Sequence, residues 1–239
     1  MSSTHNPGRV AGLWYLLLCI VGPLRLVYIP SKLFVHGNAA ATVNNIAAHE
    51  WLFRFGIVGD LFGAVVLIFL VMAFYRLFKD VDQYLAMLVV IVGGVMPALL
   101  YFVNVVSDSA ALMIARGGAD FLSVFDKSQR DALVMLLLRL HDAQNTAAEM
   151  LWGLWLIPLA ILVYRSGFLP RFLGVWLVIN GIAYVILCLT GELFPQYSNM
   201  AFLISQPALF GELALMLWLV IKGSKAQPQN AAAVSPAVA

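Results

Sequence analysis

An all-α integral membrane bundle of six transmembrane helices is the fold class this sequence predicts, and three observations predict it. Hydrophobic residues make up 62% of the 239 and charged residues 11%, where a soluble domain carries roughly 25%. Five apolar runs are each too long for a soluble core helix, and a sixth, shorter run near the C-terminus belongs with them. No stretch outside the runs reaches the roughly 50 residues that an independent soluble domain needs. A single transmembrane domain, residues 10–223, is therefore expected between an N-terminal segment, 1–9, and a tail, 224–239.

The runs are 10–28, 51–75, 84–106, 147–164, 172–189 and 207–222, and about 20 mainly apolar residues suffice to cross a hydrocarbon core of about 30 Å. The first has one upstream arginine, Arg9, no small-x-small cleavage site, and more length than a signal sequence uses, so it reads as a retained helix. Short connections follow the second and fourth runs, the latter broken by Gly167 and Pro170, and they predict antiparallel neighbours. Longer connections, 29–50 and 107–146, lie on the other side. In the second of these the third helix should continue to Arg116 and break at Gly117-Gly118. A new helix should start near Ser128, read as an N-cap before Gln129 and Asp131, and run through Arg139 into the fourth span as an outer-side helical extension. The tail is rich in Ala, Pro, Gln and Ser without periodicity, and disorder is expected there.

Arg9, Arg76, Lys79, Arg165, Arg171, Lys222 and Lys225 all fall close to helix ends on one side. The positive-inside rule makes that side cytoplasmic, with both termini in it. A net charge of +2, from scattered basic residues, excludes nucleic acid as a partner. Cys19 and Cys188 lie within apolar runs with no CxxC or His/Cys cluster, and read as packing residues. The expected partners are membrane lipids and a small amphipathic ligand; nothing in the sequence specifies a protein partner.

Ionisable groups at bilayer depth cost about 2.5–3.5 kcal/mol each on insertion scales, so those retained face a protein interior or a wet cavity. At about 100° per residue, His49, Phe53, Gly56, Asp60 and Gly63 share one stripe of the second helix. Asp60 and Glu149 each precede an arginine, Arg76 and Arg165, by 16 residues, which sets both roughly 24 Å from the inner boundary. Glu212, ten residues before Lys222, lies nearer the midplane. The fourth helix gathers His141, Asp142, Asn145, Glu149 and Trp152 in one arc, the third aligns Pro97, Tyr101, Asn104 and Asp108, and the first carries Arg25 near its outer end.

This pattern predicts a polar cavity open to the outer side. Asp60, Glu149 and Glu212 are its candidate acid and base residues, and Arg25, His49, Asn104, His141, Asp142 and Asn145 its candidate lining. Structural readings stand beside these: interhelical hydrogen bonding for Asp60 and Glu212, a solvated vestibule wall for the His141-to-Glu149 face, and charge pairing or snorkelling for Arg25 and Arg54. His49, His141 and Glu149 are metal-ligand types, but no short HxxxH or HxxE spacing fixes them, so no metal and no cofactor is assigned.

The segments Arg9-Val-Ala-Gly-Leu-Trp-Tyr, Gly37-Asn-Ala-Ala-Ala-Thr, Glu50-Trp-Leu-Phe-Arg-Phe-Gly, Tyr164-Arg-Ser-Gly-Phe-Leu-Pro-Arg-Phe-Leu-Gly and Phe210-Gly-Glu-Leu-Ala, with Lys222-Gly at the close, resemble a bacterial multi-pass membrane family known as domain of unknown function 4386. The resemblance spans about residues 8–223. It implies a helical fold in a bacterial inner membrane and brings with it no activity, substrate or catalytic residue. Three functions follow from the residues: binding or processing of a lipid-like or amphipathic small molecule, proton-coupled transport, or an accessory role through the outer segment around 107–142.

Overall fold

The computed structural model describes residues 6–118 and 120–224, so residues 1–5 and the expected disordered tail from 225 onward lie outside it. Within the described residues the chain is an all-α bundle. Helix α1 spans Pro7–Leu33, α3 Glu50–Phe78, α4 Gln83–Arg116, α5 Lys127–Arg165 and α6 Arg171–Leu193, with a short α2, Ala39–Ala48, between the first two. A 3₁₀ turn, Pro195–Tyr197, leads into α7, Ser198–Ile221. All but α2 belong to segments long and apolar enough to cross a membrane, which makes this a multi-pass membrane protein.

Each spanning helix packs on the next in sequence, and α7 returns to α1, so the six close into a ring. The seam between first and last helices is tight at one end: a Cβ on Gly12 would lie 2.6 Å from the backbone nitrogen of Val220. There the Asn6 side chain donates to the Ser224 carbonyl at 2.7 Å and accepts from the Ser224 backbone N–H at 3.0 Å. Both described ends of the chain therefore lie together on one face, called here the terminal face.

Two apolar cores are stacked along the bundle. The larger fills the half towards the terminal face, where Tyr15 meets Phe74 edge-on at 5.7 Å and Phe78 stacks on Phe168 at 5.8 Å. The smaller joins Leu33, Ile46, Phe53, Ala111, Val134 and Leu138 at the opposite end. It forms because α5, at 39 residues, is about 58 Å long and outruns the bilayer, as does the end of α4. Outside the ring, Phe55, Val58, Phe62, Val65 and Phe69 of α3 recur every three or four residues as an exposed apolar stripe for acyl chains.

Two helices widen locally. A π turn occupies Leu24–Tyr28 in α1 and another Ile91–Val95 in α4. Each lies one turn before a proline, Pro30 or Pro97, whose ring excludes the usual bond to the carbonyl four residues back, at Leu26 or Gly93. The first of these turns carries Arg25 into the interior.

Several expectations are corrected. The 29–50 connection contains α2, started by Asn38, whose side chain accepts from the Ala41 N–H at 2.9 Å. The N-cap of α5 is Asp126 rather than Ser128: its carboxylate accepts from the Gln129 N–H while the Gln129 side chain accepts from the Asp126 N–H, a reciprocal pair that Ser128 does not make. Pro207 does not open the last span but lies within α7, tolerated because neighbouring helices can serve freed backbone groups. Trp176 donates from Nε1 to the Pro207 carbonyl at 3.0 Å. The break after Arg116 occurs as expected, with Gly117 at φ 66° in the left-handed conformation that glycine adopts without penalty.

Candidate functional site

Between the two cores lies a polar layer. Arg25 from α1 places Nη1 2.6 Å from Oδ1 of Asp60 on α3, with the two side chains 4% and 1% exposed. This is a close ion contact without hydrogen-bond alignment, and neither atom has another hydrogen-bond partner. The guanidinium also stacks 4.4 Å from the ring centre of Tyr101 on α4. Across the α4–α5 interface, His141 Nδ1 lies 3.0 Å from Asp108 Oδ1, and one turn away the Asn104 amide donates to Asn145 Oδ1 at 3.1 Å. The i, i+4 spacing on both helices makes these two contacts successive rungs of one ladder.

A small hollow of about 80 Å³ joins Arg25, Asp60, Asp108, His141, Asp142 and Asn145. Towards the terminal face a larger cavity of about 370 Å³ is lined mainly by apolar and aromatic side chains, with Trp152, Trp155, Tyr184 and Tyr101 among them. Glu212 of α7 is its carboxylate, and Tyr15 of α1 donates a hydrogen bond to it. Arg25 and Leu26 border both compartments, so the Arg25–Tyr101 stack stands as the partition between them.

The larger cavity reaches the bundle surface at the seam. Cys19, Gly22 and Leu26 of α1 face Gln206, Phe210 and Leu213 of α7 along its wall, beyond the stretch where Gly8 and Gly12 hold the two helices together. Half-exposed Phe210 and partly exposed Leu213 and Leu26 mark this as a side opening towards the acyl chains.

A family model matches residues 10–223. The chain belongs to that family, described as Domain of unknown function (DUF4386). It is also similar to an uncharacterized protein of Archaeoglobus fulgidus, 26% identical over 144 residues that cover 58% of this chain and 81% of the relative. No solved structure matches.

For this member of the family, the expected site residues divide into three groups. Arg25, Asp60, Asn104, His141, Asp142 and Asn145 come together in or beside the polar layer, with Asp142 at its exposed edge. Glu212 lies in the larger cavity, so the three acids do not share one chamber. Glu149 and His49 join neither. Eight residues after His141, Glu149 is rotated by about 80° around α5, which turns it towards Tyr184 and Cys188 of α6. His49 sits at the corner between α2 and α3, at φ −119° and ψ 43°, so it does not continue the inward stripe of α3 and stays exposed beside Glu50, Trp51 and Arg54. A metal set of His49, His141 and Glu149 is therefore not assembled.

Tyr15 and Tyr184 escaped the sequence reading because each looks like an ordinary aromatic of an apolar helix. Asn180 carried a signal: a fully buried amide mid-way along α6, donating to the Leu209 carbonyl at 3.5 Å. An asparagine alone in an apolar run marks a helix contact.

Proposed function

We propose that the protein lies in a bacterial inner membrane with both termini in the cytoplasm and holds a lipid-like amphipathic molecule in the cavity beside Glu212, for binding or for chemistry on its polar group. Arg9, Arg76, Arg165 and Arg171 lie at helix ends towards the terminal face and support that orientation. The observation that carries the ligand reading is the cavity itself. At about 370 Å³ it falls within the roughly 300–1,000 Å³ of small-molecule sites, with apolar walls and few polar groups. An apolar chain would lie along Trp152, Trp155 and Leu67, and a polar end would meet Tyr15–Glu212 or Arg25. Entry from the bilayer between α1 and α7 avoids transfer through water.

Gly22 supplies the test. A Cβ there meets nothing within 4 Å, so a side chain can leave the backbone at position 22, and Gly22→Trp is placed to obstruct the opening. Binding of a dansyl-labelled fatty acid to purified protein should weaken about tenfold or more in Gly22→Trp, and in Glu212→Gln if the polar end meets that carboxylate, with thermal unfolding of Gly22→Trp unchanged. Equal binding by the wild type and both variants would remove the cavity from the function.

The polar layer lends support to a second reading, a small proton-coupled carrier in which Asp60, Asp108 and His141 exchange protons. Substrate flux into liposomes under a pH gradient separates the two, because a binding protein or enzyme drives none.

A further inference from the structure

We infer that Asp60, Asp108 and His141 form a binding site for one divalent transition-metal ion, held between α3, α4 and α5 in the polar layer beside the smaller core. One ligand atom from each of the three lies within 4.8 Å of the others, and all three residues are buried or nearly so. Two donors at about 2.1 Å from one ion and at right angles to each other stand about 3.0 Å apart, which is the His141–Asp108 separation of 3.0 Å. Donors on opposite sides of an ion are about 4.2 Å apart, so the widest pair needs to close by well under an ångström.

Three further observations point to a cation. Asn104 Oδ1, one turn from Asp108 on α4, is a buried polar atom without a hydrogen-bond partner, and Asp60 Oδ1 has only its unaligned ion contact with Arg25; both residues are 1% exposed. A buried acceptor left without a donor or a cation is costly, so such atoms favour an occupant that meets them. The buried charges lining the hollow are also unbalanced: Asp60 and Asp108 face the single cation Arg25, and Asp142 adds a carboxylate at the exposed edge, so with His141 neutral the lining is net negative and favours a cation. The ligand types, one imidazole and two carboxylates without a thiolate, suit zinc, manganese, iron or cobalt. Arg25, in ion contact with the Asp60 carboxylate, then stands as an outer charge beside that ligand.

This site stands apart from the cavity beside Glu212 and is tested without any lipid. Protein purified without a polyhistidine tag, equilibrated with equimolar manganese, iron, cobalt and zinc and then desalted, should carry about one ion per chain by mass spectrometry. Asp60→Asn, Asp108→Asn and His141→Ala should each lose most of it, while Asp120→Asn, in the exposed turn before α5, keeps it. Cobalt in the wild type should add visible d–d bands without a thiolate charge-transfer band, removed by a chelator together with a drop in Tm. This wild-type measurement decides the matter even where a variant fails to fold. Wild type that takes up no ion, or ions that survive all three substitutions, would overturn the site and leave protons alone to balance the layer.

Discussion

Arg25 and Asp60 meet at 2.6 Å across the α1–α3 interface, in a contact where the charges are close but no hydrogen bond is aligned. A buried pair of this kind contributes little against an apolar pair of equal size, yet its loss on one side strands the other charge. Arg25→Met and Asp60→Asn should each destabilise the protein by about 3–5 kcal/mol, and the double variant Arg25→Met/Asp60→Leu should recover much of that loss. Unfolding titrations in mixed micelles measure all three. A double variant no better than either single one would show that the pair is not an isolated unit.

The Asn104–Asn145 bond links α4 to α5 one turn from Asp108–His141. Replacing each asparagine by leucine, singly and together, should give a coupling energy of about 0.6 kcal/mol and no more than about 1.7, the mean and the maximum found for interhelical hydrogen bonds in a membrane protein. Strict additivity of the two substitutions would mean that the amides do not act on each other.

Gly153 of α5 and Gly181 of α6 cross face to face. A Cβ on Gly153 would fall 2.5 Å from the Gly181 carbonyl oxygen, and one on Gly181 would fall 2.8 Å from that of Gly153. Both obstacles are backbone and cannot swing aside. Gly153→Ala should therefore cost about 1–3 kcal/mol, whereas Gly22→Ala, with open space around it, should be close to neutral.

Asp126 at the start of α5 is fully exposed, and its carboxyl is held below the usual value chiefly by the Gln129 backbone N–H and then by the Ser128 hydroxyl. A carboxyl whose folded value is depressed adds stability above its unfolded value of about 3.9 and loses it as pH falls through the folded value. Hydrogen exchange in the first turn of α5 should thus be constant from neutral pH to about 5, once corrected for intrinsic rates, and quicken below about 4. Asp126→Ala should show the faster exchange already at neutral pH.

The six crossings and the break at Gly117 were legible because apolar length and helix punctuation are local properties. So was the inward stripe through Phe53, Asp60 and Gly63, since one undistorted helix keeps its phase. What was not legible depends on helices meeting. Glu149 shares an arc with His141 on paper, but a drift of about 80° over eight residues carries it past α4 to α6. Glu212 separates from Asp60 because Arg25, swung inward by the π turn before Pro30, occupies the space between them. Spacing puts Asp108 on the right stripe of its helix, and only the packing of α4 on α5 shows that it faces His141.

The clasp between Asn6 and Ser224 makes the seam of the ring a junction between the first and the last described helices to leave the ribosome. Until α7 arrives, α1 has only one neighbouring stave, and the chamber beside Glu212 has no wall on that side. Closure of the ring and completion of the chamber are thus a single late event in biogenesis.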